Sequence, residues 1–200
     1  MCVNQLFDWC IPATFLPKLE QMPPRARTAV VLSVVIEQTE QIDAYFAALE
    51  RQYCAFREAE RMILLCDLPP TNTKDNAVFM PWLNHGVQTV QRYNAKGNGR
   101  YTFAVRPQRW VKGEGKWMGW DRKRGALLAL NRALLGRRNE LWCYGEPLPH
   151  DIQFVLTIDA DTMLPAGEAQ RLVCTLAHPA NDRYAVAQPH MTAEVGGQAV

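Results

Sequence analysis

The 200-residue sequence lacks a long apolar run, an excess of either charge and any paired cysteines. No stretch approaches the ~20 apolar residues that a membrane-spanning helix needs, and the N-terminus lacks the basic flank and cleavage site of a signal peptide. The 22 basic and 20 acidic side chains leave a net charge of +2, too small to attract nucleic acid or a membrane surface through its overall field. The six cysteines form no C-x-x-C pair, so neither a zinc cluster nor a disulfide framework is expected. We expect a soluble chain with reduced thiols.

A hydrophobic content of 48% with 21% charged residues is ordinary for a globular domain. Residues 1–25 contain four prolines and no sustained periodicity, so they predict an extended lead-in before a folded part at residues 26–200.

Strand-like and helix-like patterns alternate along the folded part. Apolar runs of strand length are separated by segments in which apolar residues recur every three or four positions, which predicts an α/β fold with a mostly parallel sheet flanked by helices. The predicted strands are Thr28–Ile36, Arg61–Asp67, Tyr101–Val105, Phe154–Ile158 and Tyr184–Ala187. The predicted helices run from Glu40 to Phe56, around Pro81 to Tyr93, from a cap at Asp121 to Gly136, and from Pro165 to before Pro179.

Acidic residues follow two of the predicted strands. Asp159 and Asp161 come directly after Phe154–Ile158, and residues i and i+2 of an extended segment point to the same side. Two carboxylates suit Mg²⁺ or Mn²⁺ held jointly with a diphosphate; the alternative is that they cap the following turn and helix. Asp67 ends another strand, where it can accept hydrogen bonds from a base or ribose or begin a turn.

The third candidate is the tryptophan-rich stretch Trp110–Gly125. Arg122, Lys123 and Arg124 cluster at a predicted helix start, where the helix dipole favours acids, so a bound diphosphate is one reason for three cations there. Trp117 and Trp120 offer flat faces on which a sugar or base could stack. The alternatives are a solvated charge run and core tryptophans.

Taken in order, these motifs resemble those of family 2 glycosyltransferases with the Rossmann-like GT-A fold. The resemblance is closer to the transferase domain of cyclic β-1,2-glucan synthases and covers roughly residues 12 to 190. It is carried by W-x-K-x-E-G-K-W-M-G-W-D-R-K-R-G-A-L, L-N-R-A-L-L-G, F-V-L-T-I-D-A-D-T-M-L-P and R-L-V-C-T-L-A-H-P-x-N.

The resemblance implies a UDP-glucose-dependent, inverting transferase that extends a β-1,2-glucan acceptor at the cytoplasmic face of the bacterial inner membrane. By position, Asp159 and Asp161 match the D-x-D that holds the metal, Asp67 matches the acid that contacts uridine, and Lys123 matches the lysine of the K-x-G motif near the donor. Arg122 and Arg124 join Lys123 as donor-binding candidates.

The resemblance also implies a catalytic base in a later E-D motif, followed by Q-x-x-R-W, and neither occurs after Asp161. We therefore assign no catalytic residue. We expect the chain to form the donor-binding half of a transferase domain that is truncated at its C-terminus. Alone it should be inactive, and the remainder of a synthase is its expected partner.

Two other functions fit parts of the pattern. In a phosphatase of the haloacid dehalogenase type, Asp159 would be the nucleophile and Asp161 the acid/base, but position 163 is Met where that motif has Thr or Val. A single-strand nucleic-acid binder would use the tryptophans and cations of Trp110–Arg124. The small net charge counts against it, so no nucleic-acid partner is expected.

Overall fold

The computed structural model describes residues 16–74, 76–96 and 99–189. The chain divides into two compact units, Pro24–Ala169 and Met1–Pro23 with Gln170–Val200. In chain order the strands and α-helices are β1 (Thr28–Val35), α1 (Thr39–Ala55), β2 (Arg61–Asp67), α2 (Met80–Lys96), β3 (Tyr101–Arg106), β4 (Arg109–Val111), β5 (Lys116–Met118), α3 (Arg122–Leu134), β6 (Trp142–Gly145), β7 (Phe154–Ile158) and α4 (Glu168–Leu176). Short 3₁₀ helices occupy Asn76–Phe79 and Pro179–Asn181.

The first unit is built on a five-stranded sheet with the order β6-β3-β2-β1-β7. Strands β3, β2, β1 and β7 are parallel, and β6 joins the sheet antiparallel to β3. The register places Val35 opposite Asp67 and Asp67 opposite Arg106. The carboxyl ends of the four parallel strands therefore lie along one edge, where ligands bind in open α/β sheets.

Helices cover both faces of the sheet, which explains why β1 and β2 are apolar on both sides. Helix α3 packs through Leu130 and Leu134 on one face, against the small and branched side chains Ala29, Val31, Ile63, Leu65 and Ala104. Phe46 of α1 lies on the other face, with its ring centroid 6.3 Å from that of Phe103. The parallel α/β fold predicted from the alternating pattern is confirmed.

Some element boundaries and four of the short strands differ from expectation. The strand predicted at Tyr184–Ala187 was wrong: no strand forms there, and Val186 is 81% exposed, so no burial stabilises an extended segment. The hairpin of β4 and β5 and the antiparallel strand β6 were not predicted. The last helix begins at Glu168 rather than at Pro165.

The described part of the second unit comprises residues 16–23 and 170–189. Within it the Leu19 N–H donates to the Cys174 carbonyl at 3.2 Å, and Asn181 Nδ2 donates to the carbonyls of Pro17 and Thr175 at 2.7 Å each. Residues 1–15 of the predicted lead-in lie outside the described residues, and the domain boundary at residue 26 stays a prediction. In the described ranges no helix is both long and apolar enough to cross a bilayer.

Helix α2 packs closely against strand β3 at Gly86. A Cβ atom at this position would overlap the Phe103 ring, which is fully buried. We therefore predict that Gly86→Ala lowers the free energy of unfolding by about 1–3 kcal/mol, although alanine favours helix by itself. Urea unfolding measures the change. Gly113→Ala is the control, because no atom lies within 4 Å of its Cβ position; equal effects of the two variants would contradict the close approach.

Candidate functional site

Asp67 and Arg106 form a buried ion pair at the carboxyl edge of the sheet. Arg106 Nε donates to Asp67 Oδ1 at 2.7 Å and Nη2 donates to Oδ2 at 2.5 Å, and each side chain is only 8% exposed. Burial raises the pKa of Asp67, while the two hydrogen bonds and the charge of Arg106 oppose that rise. The planar guanidinium matches the carboxylate in a two-point fork that a lysine could not form.

The same guanidinium also holds the turn that precedes helix α3. Arg106 Nη1 donates to the Trp120 carbonyl at 2.6 Å, and Nη2 donates to the Arg122 carbonyl at 2.8 Å. Arg106 thus ties the ends of β2 and β3 to the start of α3. Sequence reasoning missed this residue. The sequence feature that could have indicated it is a charged residue directly after the apolar run Tyr101–Val105. That feature becomes informative only when the strand register places Arg106 opposite Asp67.

The turn held by Arg106 has an unusual backbone. Asp121 and Arg122 have φ values of 55° and 44°, in the left-handed region that favours glycine. Such residues cost roughly 1–3 kcal/mol each and persist only where surrounding structure fixes them. The predicted side-chain cap from Asp121 was wrong, because Asp121 occupies the N-cap position without a capping hydrogen bond and instead pairs with Arg124.

Two glycines allow the close packing around Arg106. A Cβ at Gly125 would overlap the Trp120 carbonyl and the Arg106 guanidinium, and a Cβ at Gly119 would crowd Arg106 and Asp67. The glycine of the Lys123-Arg124-Gly125 motif therefore has a steric role: it lets the first turn of α3 lie directly against the buried ion pair.

Asp159 and Asp161 lie where β7 ends, at the same edge of the sheet as Asp67. The Thr162 N–H donates to the Asp159 carbonyl at 3.0 Å and closes a turn. Both acids are exposed, and helix α4 begins well beyond them at Glu168, so their carboxylates do not cap that helix. The Asp159 carboxylate instead accepts a hydrogen bond from the Lys123 ammonium of α3.

The structure therefore brings four of the predicted candidates, Asp67, Asp159, Asp161 and Lys123, to one edge and joins two of them directly. Lys123 pairs with Asp159, while Asp67 is linked to the start of α3 through Arg106. Arg124 lies on the same helix turn and pairs with Asp121. What these side chains bind stays a prediction.

The donor set at the end of β7 fits a divalent cation only in part. Asp159 and Asp161 offer exposed carboxylate oxygens, the ligands that Mg²⁺ and Mn²⁺ prefer. Across residues 16–74, 76–96 and 99–189 there is no group of three or more His, Cys, Asp or Glu side chains placed to hold a metal. A cation at this edge would therefore take its remaining ligands from water or from a bound phosphate.

The two candidate stacking tryptophans have different surroundings. The Lys74 ammonium lies 5.3 Å from the ring centroid of Trp117 in β5, and that centroid is 6.0 Å from the ring centroid of Trp110. Trp120 is 39% exposed, with the Arg109 guanidinium 5.1 Å from its centroid. Trp120 and Arg122 border a cleft of about 270 Å³, whereas Trp117 is not among its lining residues.

Comparison with known proteins gives one clear relationship. No family model matches the sequence. Over 169 residues, 82% of its length, the chain is 32% identical to cyclic beta-(1,2)-glucan synthase NdvB of Rhizobium meliloti (strain 1021). The chain is related to the cyclic β-1,2-glucan synthases. It spans 6% of the length of NdvB.

The buried ion pair gives a direct prediction for this glucan synthase relative. Arg106→Ala leaves Asp67 without its partner, so we expect the free energy of unfolding to fall by about 3–5 kcal/mol. Arg106→Lys should recover little of that loss, because an ammonium cannot reach Asp67 and both carbonyls in the same geometry. Chemical denaturation measures both, with exposed Arg51→Ala as the control. A cost for Arg106→Ala no larger than for Arg51→Ala would contradict the buried pair.

Proposed function

We propose that this chain forms the donor-binding part of a glucosyltransferase that takes glucose from UDP-glucose and adds it to a β-1,2-glucan acceptor with inversion. The observation that carries the proposal is the contact between Lys123 and Asp159, which joins the cationic start of α3 to the D-x-D at the end of β7. The relationship to a cyclic β-1,2-glucan synthase supports the choice of sugar and linkage.

The charges at this edge suit a nucleoside diphosphate. Lys123, Arg122 and Arg124 provide positive charge for its phosphate oxygens. Among the described residues, Asp67 accepts two hydrogen bonds, both from Arg106, of the about four that a carboxylate can accept. The remaining acceptor positions could take a donor from uracil or ribose. Asp159 and Asp161 would hold Mg²⁺ or Mn²⁺ between protein and diphosphate.

The proposed reaction is a single displacement. The C2 hydroxyl of the acceptor attacks the anomeric carbon of the α-linked donor, the bond to UDP breaks, and a β-linked product results. The cations at the start of α3 stabilise the negative charge that develops on the departing diphosphate. A bound divalent ion supplies further neutralisation of that charge. The acceptor proton must pass to a base, for which these 200 residues offer no E-D motif followed by Q-x-x-R-W.

The proposed activity also suggests where such a protein works. Sugar nucleotides are made in the cytoplasm, so the site would face the cytoplasmic side of the inner membrane. The remainder of a synthase would be its partner.

Loss of the two carboxylates should weaken metal-dependent nucleotide binding. We expect Asp159→Asn/Asp161→Asn to weaken UDP binding in the presence of Mn²⁺ by about tenfold or more, because amides cannot neutralise the cation. Isothermal titration measures the affinity. Asp182→Asn, an exposed acid of the second unit, is the control and should bind as the parent does. Equal UDP affinity of the double variant and the parent would contradict the proposal.

Lys123 competes with a cation for Asp159, and this predicts opposite effects of one substitution. Lys123→Met should increase the affinity for Mn²⁺ alone, because the carboxylate loses its ion-pair partner. It should decrease the affinity for UDP, because a positive charge near the diphosphate is lost. Manganese electron paramagnetic resonance and UDP titration measure the two. Changes of the same sign in both would show that Lys123 does not sit between the carboxylate and the nucleotide.

The 200-residue chain should bind the donor without using it. We expect no β-1,2-glucan from UDP-glucose under conditions in which UDP binding saturates, because the chain lacks the base motif. Radiolabelled glucose incorporation is the assay. Incorporation by the isolated chain would contradict this.

A further inference from the structure

Helix α1 buries one polar side chain among its apolar ones. Its buried residues, spaced three or four positions apart, are Ile42, Phe46, Leu49 and Gln52. Gln52 is only 5% exposed. Because a buried amide without a partner costs free energy, a glutamine at a position where the helix otherwise has apolar residues indicates a specific hydrogen bond.

That hydrogen bond reaches the turn that contains Asp159 and Asp161. Gln52 Nε2 donates to the Thr162 carbonyl at 3.1 Å, 110 positions away in sequence. The Thr162 N–H closes the same turn by donating to the Asp159 carbonyl at 3.0 Å. Gln52 and the turn both belong to the first compact unit. The amide therefore joins α1 to the segment that carries both carboxylates.

Burial of its own side chains does not hold this turn in place. Residues 159–163 are all exposed or half-buried, and Leu164 is the first buried side chain after Ile158. Asp159 has its ion pair with Lys123, but both of those side chains are exposed, and such pairs contribute little to stability. A directional hydrogen bond from a buried side chain is better suited to fix the backbone of the turn.

We infer that Gln52 is a positioning residue for the D-x-D: by holding the turn at residues 159–162, it sets the direction in which Asp159 and Asp161 present their oxygens to a cation. The inference rests on the proposed function and extends it to a buried side chain that acts through the Thr162 carbonyl. Carboxylates oriented before binding lose less freedom when the cation arrives, so the turn contributes to affinity.

The first test needs no ligand. In Gln52→Met, which keeps a similar side-chain length but has no donor, we expect the Thr162 amide proton to exchange with water about three- to tenfold faster, because the turn loses its link to α1. Nuclear magnetic resonance of the 200-residue chain measures the rate. Thr89→Val is the matched control, because Thr89 is also buried but donates to Asp43 at 3.2 Å instead of to the turn.

The second test measures binding on the same variants. We expect Gln52→Met to weaken Mn²⁺ binding in the presence of UDP by about three- to tenfold. UDP binding without the metal should not change, because Gln52 acts on the carboxylates alone. Thr89→Val should behave as the parent in both measurements, whatever stability it loses in urea. Electron paramagnetic resonance and isothermal titration give the two affinities.

The outcomes separate this inference from the proposed function. A parent that binds neither Mn²⁺ nor UDP overturns both. If the parent binds both ligands, unchanged Thr162 exchange or unchanged Mn²⁺ affinity in Gln52→Met overturns only the positioning role. An equal loss of metal-free UDP binding also overturns it, because that loss would reflect general damage to the fold. Gln52→Leu is a second donor-free variant that should repeat the result, and circular dichroism shows that each variant folds.

Discussion

The ion pair between Asp67 and Arg106 is the interaction on which the functional edge of this fold depends. Two oppositely charged residues end neighbouring parallel strands in register, and burial makes each costly without the other. The donors that remain on the guanidinium hold the carbonyls of Trp120 and Arg122. Together with the packing of Leu130 and Leu134 against the sheet, these hydrogen bonds position the start of helix α3, from which Lys123 reaches Asp159.

The sheet could be predicted from sequence where burial alone decides the structure. The run Arg61–Asp67 was predicted at its observed bounds, because a continuous buried apolar stretch has few other stable conformations. Phe154–Ile158 was also predicted at its observed bounds, from its run of apolar and β-branched residues, although it alternates between half-buried and exposed positions. Strand β6 was missed because it is only four residues long and ends in glycine, and its place depends on pairing with distant β3. Tyr184–Ala187 had strand-like residues, but no strand in the described part of the chain pairs with them.

The candidate site could be predicted as a set of residues but not as a set of contacts. Position after a buried strand was enough to select Asp67, Asp159 and Asp161. Nothing in the sequence indicated that Asp67 would be buried beneath a guanidinium while the other two would be exposed. The two tryptophans also looked equivalent, and only the hairpin fold separates Trp117, beside Lys74, from Trp120, beside a cleft.

We expect one cation and one diphosphate to lie between the end of β7 and the start of α3. A crystal structure of the chain with UDP and Mn²⁺ tests this most directly, because the anomalous signal of manganese locates the ion independently of the protein. The expected result is a manganese peak bonded to Asp159 or Asp161, with the diphosphate next to Lys123. A manganese ion and nucleotide bound elsewhere, with the Lys123–Asp159 pair intact, would contradict the account.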